Sequence, residues 1–241
     1  MNIFALDDFK FPYLDLKFPG QHSEERILFI TREGKIILKL KLIASAIVFL
    51  MLLILGIAIL NNLSFLGFDF KVLTMPYLLV WGIAFIFILW WIYRVWQKTI
   101  FVITTRRLTK FIHTTPWSRY QMSLGLDAIS DTGAYQKGFF QMLFGLGYFV
   151  ARSPAGAVKN FKIINISFAE DLHNYVNKLL FVFNEKKGDL DKFRPFIPGL
   201  KGETRDEYVR KIAPQFSKPK RVLPQAEGEY LSGNTTKQLP Q

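Results

Sequence analysis

Residues 42–60 read LIASAIVFLMLLILGIAIL, and residues 72–93 read VLTMPYLLVWGIAFIFILWWIY. These two runs decide the fold, because each carries no charged side chain over a length that suits a bilayer. A spanning helix needs about 20 mostly apolar residues rising about 1.5 Å each, whereas the helix of a soluble core usually keeps a polar stripe toward water. Here the interruptions are Ser45 and Gly56 in the first run and Thr74, Pro76 and Gly82 in the second. Pro76 falls in the first turn of its helix, where a missing N–H costs little. The first run is too long for the apolar region of a signal peptide and leads into Asn61-Asn62 rather than a small-residue cleavage site. A transmembrane hairpin is expected over residues 37–97, with helices at about 38–60 and 73–96.

The flanks orient it. Arg26, Arg32, Lys35, Lys39 and Lys41 precede the hairpin, and Arg94, Lys98, Arg106, Arg107 and Lys110 follow it. Lys and Arg near span ends favour the cytoplasmic side. The expectation is a multi-pass protein of the plasma membrane with both termini cytoplasmic and a short outer link near residues 61–71. Trp90, Trp91, Tyr93, Arg94 and Trp96 gather where the second run ends, as interfacial anchors do at headgroup level.

The chain has 241 residues, is 50% hydrophobic and 16% aromatic, and carries a net charge of +12. Between Arg94 and Arg119 there are six basic residues and no acidic one. Anionic lipid would attract such a segment. Nucleic acid is the competing partner of a basic protein, but juxtamembrane topology already accounts for this charge. The absence of cysteine excludes disulfides, thiolate chemistry and Cys-ligated zinc.

Beyond the hairpin the pattern turns to short β-rich segments. Residues 99–104 are β-branched and aromatic. Further strands are expected at 108–114, 120–124, around 128–134, at 146–152 and at 159–166, with a short helical turn at 139–144. A helix follows, with Ser167 as N-cap and Glu170 completing a capping box. Phe168, Leu172, Val176, Leu179 and Phe183 recur along one face. The expected fold class is an α+β membrane protein. Its parts are an N-terminal arm (1–36) with a strand at 24–32, the hairpin (37–97), a β-rich domain (98–186), and a largely disordered tail (187–241) poor in core-forming residues. The arm is aromatic but has no clean period, so packing on the domain and lying on the membrane both stay open.

Glu24-Glu25-Arg26-Ile27-Leu28-Phe29-Ile30-Thr31-Arg32 before the hairpin and Phe101-Val102-Ile103-Thr104-Thr105-Arg106-Arg107-Leu108 after it form two elements of a pattern. It continues through residues 124–129, Gly138, and Phe144-Gly145-Leu146-Gly147-Tyr148, and ends in the strand and helix of 161–180. This order resembles bacterial pleckstrin-homology-like membrane proteins whose domain is preceded by a two-helix hairpin. The resemblance implies a split β-barrel capped by a C-terminal helix and does not imply a reaction, since a fold does not fix a function. Thr115-Pro116-Trp117 departs from the pattern, where a glycine is expected.

No catalytic, cofactor or metal residues are expected. Gly145-Leu146-Gly147 lacks the further glycine of a dinucleotide loop, and no P-loop occurs. His22, His113 and His173 are too scattered for a metal site, and His173 falls on the solvent side of its helix. Asp127 and Asp131, four apart, would share a strand face. Arg106, Arg107, Lys110 and Arg119 are the candidate contacts for an anionic headgroup, since Arg grips phosphate bidentately. The function expected is non-enzymatic: a binding or scaffold module at the cytoplasmic membrane face, with a protein partner, a homo-oligomer or a lipid headgroup as ligand. An accessory subunit of a membrane enzyme or transporter is the alternative, weakened by the lack of ionisable groups that such spans usually carry.

Overall fold

The computed structural model describes residues 3–5, 9, 11, 13, 16–62, 70–154, 160–200 and 202–212. In chain order the strands are β1 Ile27–Thr31, β2 Ile100–Thr104, β3 Arg107–His113, β4 Arg119–Gly125, β5 Asp131–Tyr135, β6 Gly147–Arg152 and β7 Phe161–Ile166. The helices are α1 Lys35–Asn62, α2 Thr74–Lys98, α3 Phe139–Leu143, α4 Ala169–Glu185 and α5 Gly202–Ile212. The class is α+β with two antiparallel sheets, β1-β2-β3-β4 and β5-β6-β7, neither closed on itself.

Helices α1 and α2 are long and apolar enough to cross a membrane, and the most apolar window of each is entirely unburied. Their mutual contact is aromatic. Phe49 packs on Trp81 and Phe85 with ring centroids 4.8 and 5.3 Å apart, and Trp81 donates its indole N–H to the Phe49 carbonyl at 3.3 Å. The link at 63–69 lies outside the described residues.

β1 and β2 are hydrogen-bonded neighbours, with Ile30 opposite Val102 and Thr31 opposite Phe101. The helical hairpin is therefore inserted between two paired strands, where an ordinary β-hairpin has a short turn of two to five residues. Short connections tie the helices to the strands. The Trp96 indole donates to the Glu33 carbonyl at 2.9 Å. Gly34 N–H donates to the Asn165 carbonyl at 3.0 Å, and the Asn165 amide donates to the Glu33 carboxylate at 2.5 Å. A Cβ on Gly34 would sit 2.8 Å from that same carbonyl, so the close approach requires glycine.

The two sheets share one core. Phe101, Ile103, Leu108 and Leu124 from the first meet Phe149, Phe161, Ile163 and Ile166 from the second, under Leu172, Tyr175, Val176 and Leu179 of α4. The apolar stripe expected on this helix is the one that packs. The expected capping box is absent: Phe168 occupies the N-cap position without a side-chain cap bond, and the helix starts at Ala169.

The other face of the first sheet is buried too, which explains why all of β2 is inaccessible. Ile27, Ile30, Ile100, Val102 and Phe111 pack under Ile3, Tyr13, Leu16 and Phe18 of the arm. A bulge between Ile27 and Phe29 lets Leu28 and Phe29 both face the shared core while Ile27 and Ile30 face the arm. The described part of the arm thus packs on the domain. Burial at this seam pushes the Tyr13 phenol up to about 12, tempered by its hydrogen bond with the Ile30 backbone.

The stretch after residue 186 also departs from the expected tail. Phe193 and Phe196 lie against Tyr175 at 5.3 and 5.1 Å, and Phe196 meets Phe29 at 4.9 Å. Phe196 N–H donates to the Leu28 carbonyl, Tyr175 donates its hydroxyl to Arg194 O, and Arg26 donates to the carbonyls of Leu190 and Phe193. This strap runs along β1 and is followed by α5. Its aromatic residues build no core of their own; they join one that other elements supply. Residues 213–241 of the expected tail lie outside the described residues.

Candidate functional site

Apart from Lys110, in the middle of β3, the basic and aromatic residues singled out in the sequence lie at two ends of the first sheet. At the near end, where the helices leave the domain, Trp91 and Trp90 sit 5.3 and 6.4 Å from Trp117, which projects from the turn between β3 and β4. Lys98 donates to the Pro116 carbonyl of that turn at 2.7 Å. Arg94 lies over the Trp90 ring and donates to Gln97 at 3.0 Å. Arg119, at the start of β4, stands over Phe4 and Phe111 at 5.5 and 5.9 Å. Trp90, Tyr93 and Trp117 are exposed. Trp96 is buried under Arg32, whose guanidinium lies 5.6 Å from its ring, so it acts within the junction rather than as a surface ring.

The far end is the turn between β2 and β3. Glu25 has a fully buried side chain and is held by Arg107 in a two-bond grip at 3.0 and 2.9 Å and by the Thr104 hydroxyl at 2.7 Å. Arg107 also donates to the Gly20 carbonyl. Burial alone would raise the Glu25 carboxyl; hydrogen bonds from Arg107, Thr104 and the His22 N–H outweigh it and hold the group below its ordinary 4.5. Arg106 pairs with Glu24 at the surface. Lys110 lies mid-strand, where burial lowers its pKa.

The structure therefore does not bring Arg106, Arg107, Lys110 and Arg119 into one cluster. Arg107 and His113 bound β3, and Arg119 stands opposite His113. At about 3.3 Å per residue, Arg107 and Arg119 are ~20 Å apart. Arg119 joins Lys98, Arg94 and Trp117 at the near end, while Arg106 and Arg107 are engaged by Glu24 and Glu25. The pairing was latent in the sequence: with Ile27 opposite Thr104, the residues before β1 must meet those after β2. By its neighbours Thr115 and Pro116, Trp117 is a turn residue, although a tryptophan beside proline in a turn that follows a long apolar helix is a usable signal.

The other candidates have structural surroundings. His113 is buried edge-on to Phe4, and burial, followed by the charges of Lys98 and Arg119, lowers its pKa. Asp127 falls in a one-turn 3-10 helix and Asp131 opens β5, so the two do not share a strand; Asp131 pairs with Arg152 on β6 at 3.2 Å. His173 is half-buried and bridges Thr132 and Asn177, not turned to solvent. Gly147 allows β6 to approach α4, since a Cβ there would meet Ala169 Cβ at 2.9 Å. Among the described residues no three His, Asp or Glu side chains gather as a metal site would need.

Two open pockets adjoin the junction. One of about 350 Å³ lies between Phe9, Arg32, Trp96 and Phe168, and one of about 400 Å³ lies beside the start of α4, bordered by Tyr135, Gly147, Glu170 and Asp171.

No family model and no curated protein matches this chain. Among solved structures, a DUF1696 family protein with a pleckstrin-homology domain from Shewanella loihica PV-4 is similar to part of it. The identity is 16%, covering 36% of this chain and 70% of that chain, with a TM-score of 0.27.

Proposed function

We propose that this chain is a membrane-anchored pleckstrin-homology-like module that acts without catalysis, as a binding or scaffold element at the cytoplasmic face of the plasma membrane. The observation that carries this reading is the position of the helical hairpin: it leaves a four-plus-three-stranded, helix-capped domain from between two paired strands. Four and three antiparallel strands followed by a packed helix is the arrangement that a split pleckstrin-like barrel requires. An unburied apolar hairpin has its natural solvent in lipid, where helices satisfy their own backbone bonds. Lys35, Lys39, Lys41, Arg94 and Lys98 flank it on the domain side, which favours a cytoplasmic domain.

A protein already anchored needs no lipid affinity for recruitment, so its principal ligand is a partner protein or another copy of itself. The anionic headgroups of the same leaflet are an accessory contact for the near-end cations. Crosslinking of the full-length protein in its native membrane, followed by identification of the adducts, tests this. A reproducible partner or homo-oligomer is expected. Recovery of the uncrosslinked monomer alone, or substrate turnover by the purified protein, would contradict it.

A further inference from the structure

The β5–β6 connection carries a feature that anchoring by two helices does not require. Its short helix α3 turns Phe139, Met142 and Leu143 to the surface, 75%, 70% and 64% exposed. A five-residue helix gains nothing for the core by this. It is nevertheless a defined element. Gly138 and Gly145, both at positive φ (124° and 61°), bound it, and Met142 N–H donates to Gly138 O while Leu146 N–H donates to Gln141 O at 2.7 Å. Gln141, on its inner side, reaches Asn165 at 3.5 Å.

That contact fixes where α3 stands. Asn165 is the residue that binds Glu33 and Gly34, and a Cβ on Gly34 would lie 3.8 Å from Leu146. Glu33 in turn accepts the Trp96 indole. Through Gln141 and Leu146, α3 is thus tied to residues at the base of α1, which in turn hold the last turn of α2. Trp90 and Trp91 lie five to six residues back along α2, about 8 Å at 1.5 Å per residue. Trp117, 74% exposed, meets them from the β3–β4 turn. Lys137, just before α3, is exposed and basic. Apolar side chains beside basic ones next to this junction are the composition of an interfacial contact, in which an apolar face sits about 5–10 Å into the headgroup and acyl boundary.

We infer that α3 inserts Phe139, Met142 and Leu143 into the headgroup region of the leaflet from which the hairpin emerges, as a third point of attachment. With α1 and α2 it sets the tilt of the domain. The inference rests on the anchoring reading above. Its ligand is the lipid surface, and continuity with the base of the hairpin is what favours lipid over a second copy of the chain.

The absence of cysteine makes single-site labelling clean. Met142→Cys, Glu24→Cys and Leu52→Cys variants of the full-length protein would each carry an environment-sensitive fluorophore in vesicles of mixed neutral and anionic phospholipid. Quenching by a headgroup-level nitroxide lipid and by aqueous iodide is then measured. The Met142 site should be quenched several-fold more by the lipid nitroxide than the Glu24 site, and should be shielded from iodide. Equal iodide access at Met142 and Glu24, with Leu52 shielded, would overturn the inference while leaving the anchor intact. Shielding of Met142 from both quenchers would also overturn it, because protein would then cover α3. If Leu52 itself is open to iodide, the anchoring reading falls and this inference with it.

Discussion

The two ends of the first sheet use the same residue types in opposite ways. At the far end Arg106 and Arg107 meet Glu24 and Glu25, and one of those carboxylates has no exposed surface. At the near end Arg94, Lys98 and Arg119 lie among rings and carbonyls. The first set locks the strand before the hairpin to the turn after it. The second set stands where the helices depart, available to a charged surface. A basic flank beside a long apolar helix is therefore two things at once, and only three-dimensional pairing sorts its members.

The two ends should respond differently to loss of an arginine, and most strongly at the far end. Arg107→Ala leaves Glu25 buried without its main partner, and loss of one member of a buried pair costs about 3–5 kcal/mol. Arg106→Ala removes only an exposed pair, worth at most about 1 kcal/mol. Chemical or thermal unfolding in detergent should separate the two variants clearly, and equal losses would refute the distinction. Gly34→Ala comes next. Its Cβ would press on the Asn165 carbonyl at 2.8 Å, and such overpacking costs about 1–3 kcal/mol. Faster backbone hydrogen exchange around residues 33–34 and 165 should accompany it.

Trp96→Phe keeps most of the buried ring but deletes the donor to Glu33, an expected loss of about 1 kcal/mol, read by the same unfolding assay. Acid also discriminates between the ends. The His113 pKa is depressed below 6.5, so its contribution is full above 6.5 and fades as pH falls through the lowered value. Glu25, lowered from 4.5, contributes fully above 4.5 and fades only below it. Stability should thus fall in two stages on acidification, and Glu25→Gln should abolish the later one. The smallest effect is at the near end. Arg119→Gln removes the cation over Phe4 and Phe111 and should lower the melting temperature only slightly, yet reduce the anionic lipid retained by the purified protein, by about 1 kcal/mol of attraction, as native mass spectrometry would show.

Much of this architecture was legible in the chain. The two apolar runs, the strand before them and the stripe of α4 follow from length, periodicity and β-branching. The junction was not, because Gly34, Asn165 and Trp96 are distant in sequence and carry no local pattern. Trp96 resembles an interfacial ring by position and is buried by tertiary contact. The strap at Phe193 and Phe196 escaped for a related reason. Its prolines and charges lower the average hydrophobicity, yet single aromatic residues suffice when they enter a core built elsewhere. Asp127 and Asp131 mislead because Asp127 belongs to a one-turn helix between β4 and β5, and only Asp131 lies in a strand.

The hairpin emerges from between the paired strands β1 and β2, and a junction of that kind should hold the domain in one pose. Pulsed electron-electron spin resonance between labels at Glu24→Cys and Leu52→Cys, in the full-length protein in lipid nanodiscs, tests it most directly. One narrow distance distribution, broadened by Gly34→Ala, is the result predicted. A broad distribution in the unmodified junction, indifferent to that substitution, would mean that the helices are a flexible tether and would contradict the account.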